Sequence, residues 1–101
     1  MLTPRSITIT GTGAVVALGV GSGKWVQMAT PPGNALNVNI GASEVTVPTA
    51  SPATNGVGFP VPPGWSGMMY PPISEEFAFY PLDEIKIGIA AGDFLYALIG
   101  G

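Results

Sequence analysis

Glu84-Ile85-Lys86-Ile87-Gly88-Ile89-Ala90-Ala91-Gly92-Asp93-Phe94-Leu95-Tyr96-Ala97-Leu98-Ile99 decides the fold class. On an extended chain, successive side chains point to opposite faces. Ile85, Ile87 and Ile89 therefore share one face of a strand over 84–90, with Lys86 and Gly88 on the other. Gly92-Asp93 supplies a turn. Phe94 to Ile99 is apolar at every position, the pattern of a strand covered on both faces. Neither segment shows the 3.6-residue apolar spacing of a helix.

The same grammar runs outward through the chain. Ser6-Ile7-Thr8-Ile9-Thr10 alternates hydroxyl and apolar residues, which predicts a strand with Ile7 and Ile9 inward. Ala14 to Leu18, Lys24 to Met28, Ala35 to Ile40 and Glu44 to Val47 read as further strands, separated by Gly- and Pro-rich turns. In the Ala35 to Ile40 segment, Leu36, Val38 and Ile40 point inward and Asn37 and Asn39 outward. Gly67 to Tyr70 and Glu76 to Tyr80 complete the set. Residues 48–64 read as an extended Pro/Gly-rich loop. Together the pattern is a single all-β domain over 1–101, a β-sandwich of jelly-roll type with about eight short strands. Residues 1–5 are expected to form an N-terminal arm.

Composition narrows the function. The 101 residues include only nine charged ones, or 9 %, where an ordinary domain carries roughly 25 %. They are Arg5, Lys24, Glu44, Glu75, Glu76, Asp83, Glu84, Lys86 and Asp93. So few charges cannot clothe a free monomer, and large uncharged surfaces tend to be interfaces. The expectation is a subunit of a larger assembly, hence a homo-oligomer, with a trimer as the working guess. Three basic residues leave no footprint for nucleic acid or for an anionic membrane surface. The uncharged run 6–23 is interrupted by five glycines, and the run 45–74 by seven prolines, so neither reads as a membrane-spanning helix.

Chemistry is scarce. The chain has no His and no Cys, which removes the usual general bases, nucleophiles and zinc ligands. Glu75-Glu76 and Asp83-Glu84 are adjacent pairs, and neighbours on a strand face opposite ways, so neither doublet aims two carboxylates at one substrate. Gly19-Val20-Gly21-Ser22-Gly23-Lys24 lacks the first glycine and the Ser or Thr of a phosphate loop; Leu18 and Trp25 stand there instead. No catalytic residue, metal site or cofactor is expected, and the chain reads as a non-enzyme. Trp65 with Tyr70 could offer an aromatic platform to a sugar. Against that, Trp65 reads more simply as a loop side chain packed on the protein itself.

Phe59-Pro60-Val61-Pro62-Pro63-Gly64-Trp65, Glu76 to Tyr80, Leu82 to Ile87 and Gly92 to Leu98 resemble small β-sandwich virion proteins of tailed bacteriophages. An N-terminal strand like Ile7 to Thr10 and one like Trp25-Val26-Gln27 add to the resemblance. It implies a capsid decoration, or cement, subunit that stabilises contacts between major capsid proteins. It also implies a location in the virion, after assembly in the host cytoplasm. A tail, neck or fibre-base component is the first alternative, and a carbohydrate-binding sandwich the second. Residues expected at the protein interface are Arg5, Phe59, Pro62, Pro63, Trp65 and Tyr70.

Overall fold

The computed structural model describes residues 4–49 and 56–101. Ten strands and no helix occur among them. They are β1 (Arg5–Thr10), β2 (Val15–Ala17), β3 (Ser22–Gly23), β4 (Trp25–Ala29), β5 (Val38–Gly41), β6 (Phe59–Val61), β7 (Ser66–Tyr70), β8 (Tyr80–Pro81), β9 (Lys86–Gly88) and β10 (Phe94–Gly100). Sheet one has the order β1-β10-β4-β7, sheet two has β2-β9-β5-β6, and β3 pairs with β8 as a small clip. The all-β expectation therefore stands, but the described residues form ten strands in three sheets, where about eight strands in one sandwich were expected.

All the ladders are antiparallel. Five of them join β1 to β10, β2 to β9, β3 to β8, β4 to β7 and β5 to β6. The chain is thus a ribbon doubled back on itself, with its bend between β5 and β6. The two remaining ladders, β10–β4 and β9–β5, roll the ribbon up. Rolling brings Val26, Met28, Leu95, Ala97 and Ile99 of sheet one against Val38, Ile40, Val61 and Ile87 of sheet two in one buried cluster. Leu18, Leu82, Ile85 and Ile89 fill it from the connections, and Ile7 and Ile9 pack on its flank.

Several strands are shorter than their alternation suggests, each because a side chain or a neighbouring segment takes the backbone groups first. The strand expected over 35–40 begins only at Val38, because the Asp93 carboxylate accepts the amides of Ala35 at 2.9 Å and Leu36 at 3.0 Å. The strand expected over 84–90 shrinks to Lys86–Gly88, with the Ile85 carbonyl accepting the Leu18 amide. Residues 44–47 form no strand. Their Thr46 carbonyl accepts from Asn39 Nδ2 at 3.0 Å, and the Thr46 amide donates to Val57. The strand expected over 76–80 opens instead with a turn over 75–78, the Ala78 amide reaching the Glu75 carbonyl, and only Tyr80–Pro81 enters a ladder.

The stretch 48–64 is not one extended loop. Residues 50–55 of it lie outside the described residues, 59–61 are β6, and 62–65 are a turn. The arm expected over 1–5 is described only at Pro4 and Arg5, and Arg5 already belongs to β1.

Candidate interaction surface

The connections divide between two ends of the roll. Segments 11–14, 30–37, 62–65 and 89–93 gather at one end. Segments 18–24, 42–49, 56–58 and 71–85 lie at the other. Eight of the nine charged residues belong to the second end or to strand positions beside it; only Asp93 is at the first. Asp93 is 3 % exposed, and its carboxylate is engaged by two backbone amides. The first end therefore offers no exposed ionised side chain to water.

That neutral end is tightly tied. Thr30 Oγ1 donates to the Pro62 carbonyl at 2.7 Å and accepts the Trp65 amide at 3.1 Å. The Thr30 amide donates to the Trp65 carbonyl, and Gly64 donates to the Thr30 carbonyl. Asn34 Nδ2 donates to the Phe94 carbonyl while its Oδ1 accepts the Phe94 amide, both at 2.8 Å. Thr30, Asn34 and Asp93 are three of the four buried polar residues. Among the described residues no buried polar side-chain atom lacks a partner, so these groups stitch loops together and none is left aimed at a ligand.

The two sheets differ in what covers their outer faces. On sheet two the segment 44–48 crosses over the strands. Val45 is buried against Gly41 and Gly88, and Asn39, which points outward from β5, is itself buried. Among the described residues, nothing comparable covers the middle of sheet one's outer face. Phe94, Tyr96 and Leu98 of β10 remain 37 %, 42 % and 40 % exposed, and Met68 of β7 46 %. Directly opposite residues of antiparallel strands share a face. The register therefore places Ser6, Thr8 and Thr10 beside Leu98, Tyr96 and Phe94, and Gln27 between Leu98 and Met68. No charged residue projects from the middle of this surface. At its far edge Trp25 lies across Gly100, where a Cβ would fall 1.9 Å from the indole. A shallow groove of about 290 Å³ runs between the β1, β10 and β4 rows, over Ser6, Thr8, Gln27, Tyr96 and Leu98.

The six residues expected at an interface do not form one patch. Arg5 is exposed at the charged end, and its Nη2 donates to the Val20 carbonyl at 3.0 Å. Phe59 is exposed at the free edge of sheet two. Pro62 and Pro63 are exposed on the turn held by Thr30. Trp65 is half-buried, packed on the core and over Gly67. Tyr70 is half-buried at the opposite end of β7, its ring edge-on to Tyr80 at 5.1 Å. Burial, and secondarily the Tyr80 phenol, push the Tyr70 hydroxyl above its ordinary value. The pair Trp65 and Tyr70 is therefore split between two ends, and neither ring stands free as a platform.

Phe94, Tyr96, Leu98 and Met68 were not among the expected interface residues. The signal was present in the uniformly apolar Phe94–Ile99 run, which reads as a strand covered on both faces. Among the described residues, one of those faces is left uncovered.

The chain matches no protein-family model, no curated protein and no solved structure.

Proposed function

We propose that this chain is a non-enzymatic structural subunit that works seated against other protein. The reading that unites its features is a bacteriophage head decoration, or cement, subunit bridging major capsid proteins. The carrying observation is the charge-free outer face of sheet one, uncovered among the described residues, on a chain whose exposed charged side chains are gathered at one end. A soluble monomer ordinarily alternates apolar-in and polar-out along such a sheet. Here β10 is apolar on both sides.

The architecture supports the same reading. Leaving aside the two-residue β3 and β8, the other eight strands form a doubled ribbon rolled into two four-stranded sheets over one core. We read this as a jelly-roll sandwich, an arrangement used by viral capsid and lectin domains. The fold alone does not imply the function; the surface chemistry carries that step. A cement subunit needs a rigid body and neutral adhesive faces. The tied loops 30–37 and 62–65 provide the first and sheet one the second.

The test is electron microscopy and mass spectrometry of purified particles. Stoichiometric presence at capsid joints supports cementing. A few copies confined to the tail move the chain to the tail, neck or fibre base, and absence from particles removes the proposal.

A further inference from the structure

We infer that the outer face of sheet one is the contact through which copies of this chain bind one another. The inference rests on the reading of the chain as an assembly subunit and says which partner covers the face that carries that reading: a second copy of the chain.

The occupant follows from the chemistry of the face. A surface without ionised groups excludes a strongly charged partner, whose desolvated charges would find no counter-ion. The face matches itself. Ser6, Thr8, Thr10, Ser66 and the Tyr96 phenol are hydroxyls, and Gln27 is an amide. Each can both donate and accept a hydrogen bond, so two copies of one face can satisfy each other in a way that rows of one charge never could. Projections and recess also lie on the same surface, Met68 and Phe94 standing beside the groove over Thr8, Tyr96 and Leu98. A two-fold contact needs that self-complementarity, because one patch must serve on both sides.

Size fixes how far the contact extends. Four strands about 4.8 Å apart and some 20 Å long present roughly 400 Å² in projection. A stable interface takes about 800 Å² from each partner. To reach that area the contact would have to take in the adjoining neutral loops 30–37 and 62–65, whose Pro32, Pro62 and Pro63 are exposed and whose 62–65 turn is held by Thr30.

Sedimentation equilibrium on the full chain tests this, with Leu98→Lys and Thr8→Lys on the face and Val20→Lys at the charged end as control. Both face positions are exposed in the single chain, so circular dichroism and the melting temperature should stay close to the unsubstituted protein. Association of the unsubstituted chain, weakened by roughly 30-fold or more in each face variant as for a central interface side chain and unchanged in Val20→Lys, is the expected result. A monomer at every concentration up to the solubility limit overturns it. So does an oligomer that survives both face substitutions. Particle incorporation is read separately: a chain absent from virions that still associates through this face loses the decoration role and keeps the contact.

Discussion

Asn39 Nδ2 donates to the Thr46 carbonyl at 3.0 Å, and that same carbonyl lies over Gly88, where a Cβ would come within 2.2 Å of it. This pairing is how sheet two acquires a cover from its own chain. Glycine at 88 lets the backbone of 44–47 approach β9 closely, and Asn39 supplies the hydrogen bond that holds it there. Among the described residues sheet one has no equivalent, and the functional reading builds on that difference between the two sheets.

Substitution at Gly88 should therefore be costly for a position with no side chain to lose. Gly88→Ala is expected to destabilise the fold by about 1–3 kcal/mol, the range for forcing extra atoms into a packed region. Its obstacle is backbone, not a flexible side-chain tip. Urea denaturation measures it, and a midpoint equal to that of the unsubstituted chain would sink the close-approach argument.

Thr30 holds the 62–65 turn through both sides of its hydroxyl. Thr30→Val keeps the shape and removes the hydroxyl, leaving the Pro62 carbonyl and the Trp65 amide without that partner. The expected loss is about 0.5–1.5 kcal/mol, as for removing hydrogen bonds whose backbone groups keep another partner, since the Trp65 amide also reaches the Pro62 carbonyl at 3.3 Å. Trp65 fluorescence should shift as the turn loosens. Unaltered emission together with unaltered stability would mean that the turn is held by other means.

Asp93 tests the neutral end in another way. Asp93→Asn replaces one accepting oxygen with an NH₂ group that faces the Ala35 or Leu36 amide. Two donors then confront each other in a site closed to water, again costing about 1–3 kcal/mol. Amide exchange at Ala35 and Leu36 should accelerate more than exchange in β4. Uniform acceleration would indicate a global effect and not loss of the clamp.

Tyr70 predicts the alkaline limb of stability. Its hydroxyl is pushed above the ordinary value of 10.0, first by burial and then by Tyr80. The folded state thus holds the proton more tightly than the unfolded chain does. The resulting stabilisation is complete below the unfolded value and is lost as pH rises through the folded one. Thermal melting should fall on the alkaline side of pH 10. Tyr70→Phe should show a shallower fall over the same range; an identical slope in the two proteins would contradict the assignment.

Lys24 pins the turn before β8. Its ammonium donates to the Glu75 and Glu76 carbonyls and sits 4.3 Å from the Phe79 ring centroid. Lys24→Met should change global stability by no more than about 0.5 kcal/mol, as surface substitutions generally do. Hydrogen exchange over 74–79 should nevertheless quicken. Unchanged exchange there would show that the turn stands without the lysine.

The residues themselves determined the β class. Alternation at Ser6 to Thr10 and Ile85 to Ile89, with glycine and proline punctuation, allows little else, because side-chain direction on an extended chain is a local property. Scarcity of charge was equally legible, as was the absence of the usual catalytic side chains. Strand limits at Ala35 to Asn37, Glu44 to Val47 and Glu76 to Phe79 were not. There the backbone amides and carbonyls are claimed by Asp93, Asn39 and Lys24, which are distant in sequence or not marked as caps by any local pattern.

Which face is bare was also decided only by the tertiary structure. Phe94 to Ile99 announces two apolar faces, but one dimension of sequence cannot say that 44–48 folds over sheet two and leaves sheet one open. That choice depends on close approach at Gly88 and on the rolling of the ribbon, both of which join residues far apart along the chain.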